Sequence, residues 1–282
     1  MPLVFYLGTR PDIALKEDER NALIYWLLVT LMQRRYSRSG TTVIAQDVAA
    51  LRSADPLPAL YRNLGLLGHR PTITPASLAG KGSTSAYFSL SYLVARKREA
   101  TDWWYGAPVK LSHDGSYRVE YHHIHPRARL TDRYGKAEVN DLANLAFISD
   151  KANRKISARS PERYFSELDE QQLVAHCVPT DGGLRTVDAF PAFVAARRAL
   201  LAEAMTELLE SYWPSFLDEA SAEALAEATT ALSVQAYGST ADAGTITLVA
   251  EAVAGGTRLA HVISYRALRE ALDDLADGRA RR

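Results

Sequence analysis

Cysteine is nearly absent, with Cys177 the only one in 282 residues. No intramolecular disulfide framework can form, and the composition fits a reducing compartment. A long apolar run is missing as well. The longest, ALIYWLLVTLM from Ala22 to Met32, is short of the roughly 20 residues a spanning helix needs and is flanked by charge. It reads as a buried core helix. The opening MPLVFYLGTRPD has no basic leader ahead of its apolar residues, so no secretory signal is expected. Net charge is zero, and no internal repeat is found. These absences point to a soluble cytoplasmic protein with no membrane partner, long enough for one large domain or two modest ones.

What is present is unevenly placed. Three of the seven histidines fall within four positions, in VEYHHIHPRARL, at His122, His123 and His125. A metal site, a catalytic base and an ordinary strand are all open readings of such a cluster. Around it the charge balance tilts: between Lys110 and Tyr164 there are eleven basic residues against seven acidic ones. A local basic surplus is what a polyanion site needs, although charge runs are usually solvated faces. Adjacent histidines in a strand point to opposite faces, so one buried and one exposed is the bland expectation.

The spacing predicts helices through the first hundred residues: Asp18–Tyr36, then TVIAQDVAALRS, LPALYRNLGLL, and AYFSLSYLVARKREATDWW as one helix running to the Trp pair. Asp114-Gly115 is a two-residue hairpin signal, and YRVEYH alternates as a strand. The histidines thus sit where a strand ends. After the Arg-rich PRARLTDRYGKAEVND, a short apolar strand NLAFI is expected. Ser149 or Asp150 can then cap a helix, DKANRKIS, and Pro161 can open another. FPAFVAARRALLAEAMTELLESYW is a strong amphipathic helix. The last seventy residues alternate Ala-rich helix with GTITLVAEAVAGG and suggest no definite fold. The fold class expected is mainly α (α+β), organised as a helical region 1–109, a middle region 110–212, and an acidic Ala-rich extension 213–282.

Strand, loop, strand, helix, with His at the first strand's end and Asn on both later elements, suits phosphodiester cleavage. That chemistry needs a divalent metal at the scissile phosphate, a base near neutral pH, and a group fixing the base's tautomer. Oxygen and neutral nitrogen ligands suit Mg²⁺ or Mn²⁺. A closed structural zinc site is poorly supplied, because Cys177 is the only thiol.

EYHHIHP, ANLAFIS and DKANRKIS together resemble the HNH, or ββα-metal, nucleases. The likeness is greatest to the C-terminal effector region of GmrSD-type modification-dependent (type IV-like) restriction endonucleases, phosphorothioate-sensing SspE-like proteins included. ERNALIYWLLVTLMQRRYS, ATDWWYGAPV and the late amphipathic helix extend the resemblance over roughly Arg20 to Leu209. It implies an embedded ββα-metal motif and a divalent-metal DNA endonuclease, acting as a nickase in antiviral restriction. It implies His122 and Asn153 as metal ligands, His123 as general base, and Asn144 as the residue that positions the His123 ring. Arg154, Lys155, Arg127 and Arg129 would lie along DNA phosphates. His125 stands where the family more often has Phe, as a spectator or a further DNA contact. Rival readings are a catalytically idle HNH module that only binds DNA, and an RNA-cleaving HNH toxin. His69, His113, His176 and His261 read as structural or surface, Trp103 and Trp104 as core, and Cys177 as a buried small hydrophobe.

The resemblance also implies a sensor, as an upstream domain or a separate subunit, that recognises the DNA modification. Neither a DGQQR-like signature nor a P-loop is present here; LAGKGSTS holds GKGS without the glycine spacing or the preceding strand.

Overall fold

The computed structural model describes residues 2–10, 14–37, 40–65, 70, 72–109 and 119–218, with strand segments 234–238, 246–254 and 257–264. The chain is mostly helical. Its elements run α1 Pro2–Gly8, α2 Glu17–Met32, α3 Gly40–Ala50, α4 Pro56–Arg62, α5 Pro75–Leu78, α6 Ala86–Lys97, β1 Val119–His123, α7 Arg127–Leu130, α8 Lys136–Val139, β2 Leu145–Ser149, α9 Asp150–Ile156, α10 Pro161–Tyr164, α11 Glu170–Ala175 and α12 Phe190–Glu210. The strands β3 Val234–Gly238, β4 Ile246–Ala254 and β5 Thr257–Ser264 follow.

Local chemistry explains where several helices start and stop. Three acidic residues, Glu17, Asp18 and Glu19, occupy the first turn of α2 and complement its dipole. One face of its apolar run is buried, as the sequence led us to expect, through Leu23, Tyr25, Trp26, Leu28 and Val29, while Leu27 and Leu31 are exposed. Tyr25 and Tyr61 pack ring on ring at 6.1 Å, and the Tyr61 hydroxyl donates to the Ala22 carbonyl at 2.6 Å. α6 begins at Ser85, whose hydroxyl accepts from the Phe88 N–H. It stops at Lys97 instead of running to the Trp pair. Glu99 takes a left-handed φ of 54°, and the Asp102 carboxylate accepts from the N–H groups of Trp104 and Tyr105. A side chain that bonds its own downstream backbone in this way competes with continued helix.

The two-stranded sheet is antiparallel, with Val119 opposite Ser149, Tyr121 opposite Phe147 and His123 opposite Leu145. All five residues of β2 are buried, as a continuous apolar strand demands. Ser149 then accepts from the Ala152 N–H and starts α9, which packs on both strands. The long α12 lays Phe193, Val194, Arg197, Leu201 and Met205 toward the core at helical spacing. It contacts α5, α6 and the 3-10 turn Leu142–Asn144 that leads into β2.

Residues up to Pro214, apart from 67–69, form one compact unit, so 1–109 packs together with the region carrying the sheet. A second unit contains the chain from Ser215. Within it β3, β4 and β5 form an antiparallel sheet in that order, and GTITLVAEAVAGG supplies β4. The Asp114-Gly115 turn and the Ala-rich stretch before β3 lie outside the described residues. No helix among the described residues is long and apolar enough to cross a membrane.

Candidate active site

His122 and His123 are the last two residues of β1, and alternation along the strand sends their rings to different partners. His122 is buried. Its Nδ1 lies 2.7 Å from Asn153 Oδ1 on α9. Asn153 cannot be turned round without loss, because its Nδ2 donates to Glu120 Oε2 at 3.3 Å. An amide oxygen only accepts, so His122 Nδ1 carries the ring proton in this arrangement. Burial, with a lesser repulsion from His123, pushes the His122 pKa down to about 4 against the favourable bond to Asn153. The ring is neutral at pH 7.

His123 is half-buried, and its Nε2 lies 2.9 Å from Asn140 Oδ1. Asn140 is itself fixed, since its Nδ2 donates to the Lys136 carbonyl at 2.8 Å. The same donor–acceptor logic puts the His123 proton on Nε2 and leaves Nδ1 as the basic nitrogen. Burial and the nearby Arg127 guanidinium lower the His123 pKa, opposed by the Asn140 bond. His123 and Tyr121 open onto a groove of about 890 Å³ walled by Leu27 and Leu31 of α2 and Phe88 and Tyr92 of α6. Glu120 lines this groove too, so it links the His122–Asn153 pair to the space His123 faces.

Asn144 does not hold the His123 ring. It is fully buried, and its amide is spent on backbone: Oδ1 accepts from the His125 N–H at 2.9 Å, and Nδ2 donates to the carbonyls of His125 and Val139 at 3.1 and 3.0 Å. It clamps the chain as it leaves β1. The ring partner is Asn140, four residues earlier. His125 is not a surface contact for DNA either. At 1% exposure its ring packs edge-on against Phe190 and Phe193, with centroids at 5.4 and 4.6 Å. Burial lowers its pKa to about 4, opposed by the Leu184 backbone.

The four basic residues differ in their commitments. Arg127 is exposed and acts electrostatically on His123. Arg129 donates to the Ala158 carbonyl. Arg154 pairs with Asp150 at 2.8 Å, and Lys155 sits over the half-buried Trp104 ring at 4.9 Å. Trp103 is buried, T-shaped to His122 and to His176, whose Nε2 lies 2.9 Å from the Thr101 carbonyl. Cys177 is buried. His69 and His113 lie outside the described residues, as does the side chain of His261.

Three residues given no role from sequence shape the site. Asn140 holds the His123 ring. Asp102 accepts from the Ser149 N–H at 2.6 Å and so fixes the start of α9, the helix bearing Asn153. Arg197 reaches from α12 to four carbonyls, those of Ala143, Leu145, His176 and Cys177, at 2.7–3.2 Å. Polar residues in the Arg-rich loop and an Arg on an apolar helix face were the available signals.

Among the described residues no group of three or more His, Cys, Asp or Glu is placed to hold a metal ion. His122 Nδ1 and Asn153 Oδ1 are spent on each other in this arrangement, so they would hold a hydrated hard divalent ion only once the ring proton has moved to Nε2 and freed both atoms. A neutral imidazole is also the form a metal requires. No family model, curated protein or solved structure matches this chain.

Proposed function

We propose that the chain is a divalent-metal-dependent HNH-type endonuclease that hydrolyses DNA phosphodiesters one strand at a time, as the effector of a restriction system. One observation carries the reading: a strand–strand–helix unit ends its first strand in two adjacent histidines, each tied to a different asparagine. His122 and Asn153 would hold Mg²⁺ or Mn²⁺, which supplies charge neutralisation at the phosphate and the leaving oxygen. His123 Nδ1 takes the proton from the attacking water, and Asn140 keeps the ring in the tautomer that makes this nitrogen basic. Its lowered pKa keeps it unprotonated at neutral pH. Arg127 offers charge to the phosphate beside it.

The reading is tested by nicking of supercoiled plasmid with Mg²⁺ or Mn²⁺, with and without excess EDTA, beside matched RNA. Chelation should stop the reaction outright, and DNA should be the better substrate. His122→Ala and Asn153→Ala should weaken Mn²⁺ binding measured by calorimetry, independently of turnover. Cleavage that survives EDTA contradicts the metal assignment.

A second reading, an idle module that binds DNA without cutting, is favoured by one observation. The ring proton sits on Nδ1 in its bond to Asn153, and a metal taking Nδ1 would move that proton to the buried Nε2, which has no partner, whereas metal-bound histidines usually donate their second N–H to an acceptor. An absence of Mn²⁺ binding together with retained DNA binding would select it.

A further inference from the structure

The GKGS segment is not a P-loop, yet it borders a polar cavity on the helical side. Gly80 to Ser85 connect α5 to α6 and wall a cavity of about 550 Å³ together with the end of α2. That is within the roughly 300–1,000 Å³ usual for small-molecule sites. Among its described lining residues none is acidic. Arg35 also lines it, but its charge is matched by the buried Asp47 at 2.7 Å. Arg34 and Lys81 are different: both are exposed, and neither side chain forms an ion pair or hydrogen bond among the described residues. Ser83, Thr84 and Tyr87, each bearing a hydroxyl, line the same space.

The two walls of the cavity are fixed by backbone hydrogen bonds. Arg34 takes a left-handed φ of 52° as the residue that closes α2, where its own N–H and that of Arg35 donate to the Leu31 and Thr30 carbonyls at 3.2 and 3.0 Å. The loop across from it is anchored. The Leu142 N–H donates to the Lys81 carbonyl at 2.7 Å, and the Gly80 N–H donates to Asp141 Oδ2 at 3.2 Å. Gly82 lies so close to the Asn140 carbonyl that an added Cβ would stand 3.2 Å from it. Unpaired cations, hydroxyl donors and no acid are the requirements of a multiply charged oxyanion.

We propose that this cavity binds a phosphoryl group, held by Arg34 and Lys81 with hydroxyl donors from Ser83, Thr84 and Tyr87. The inference is independent of the nuclease reading, since binding is measured without cleavage. The phosphoryl source is either a free phosphorylated small molecule or a nucleic-acid backbone. Calorimetric titrations at fixed ionic strength with pyrophosphate, with a nucleoside triphosphate and with a short single-stranded oligonucleotide distinguish them. The control is the double variant Arg34→Gly with Lys81→Gln, in which glycine keeps the left-handed turn. Unchanged thermal unfolding of the variant confirms that it folds. Saturable binding of pyrophosphate or nucleotide, weakened at least tenfold in the variant, supports the site with a small ligand. The same loss seen only with the oligonucleotide supports it with a polymer phosphate. Failure of all three to bind, or binding as tight in the folded variant, overturns the proposal.

Discussion

Asn140 and Asn144 flank the same turn and do opposite kinds of work. Asn140 offers one oxygen to a catalytic candidate's ring, whereas Asn144 spends all its hydrogen bonds on buried backbone. Asn140→Ala should therefore leave stability almost unchanged and slow nicking by on the order of tenfold, as loss of a ring-orienting partner does. The Asn140 bond favours protonated His123, so its removal lowers that pKa further. The acid limb of the pH–rate profile should move to lower pH. Asn144→Ala should instead cost about 2 to 4 kcal/mol of stability in urea unfolding, because it orphans buried backbone groups. An unshifted acid limb in Asn140→Ala would remove Asn140 from the mechanism. Sequence alone could not separate the two. The resemblance singled out Asn144, first residue of the expected NLAFI strand, over Asn140 in the loop before it, and which one meets the ring depends on how that loop folds over β1.

At the scale of elements, the strands and α9 were legible because their signals are local. Alternation marked β1, an apolar run marked β2, and Ser149 capped α9 where a Ser before a helix should. The end of α6 was not, because it depends on Asp102 folding back onto its own turn. Arg197 was equally hidden: nothing in an amphipathic pattern says that a basic residue faces inward. Its guanidinium joins α12 to the lead-in of β2 and to the turn at His176–Cys177. Arg197→Met should leave four carbonyls unpaired and destabilise the fold by more than about 3 kcal/mol. Arg197→Lys should be only a partial rescue, since one ammonium cannot span the same fork. A calorimetric Tm unaffected by Arg197→Met would show that the staple carries no stability.

For the compact unit as a whole, three buried histidines set an acid limit. His122, His125 and His176 each have a folded pKa of about 4, lowered chiefly by burial from 6.5. Between those values the unfolded chain binds protons that the folded chain does not. Stability is therefore full above pH 6.5 and falls as pH drops toward 4. Each site can contribute on the order of 3 kcal/mol, so tryptophan fluorescence should report unfolding with a midpoint above pH 4. His125→Phe, which suits the Phe190–Phe193 slot, should move that midpoint to lower pH and leave nicking intact. The measurement that bears most directly on the central claim is plasmid nicking by His123→Ala against wild type in Mg²⁺. The two proteins must first be shown to match in thermal unfolding and DNA affinity. The expected result is a fall in rate of about 10² to 10⁴ with both controls unchanged. Wild-type nicking by a folded, DNA-binding His123→Ala protein would contradict His123 as the base.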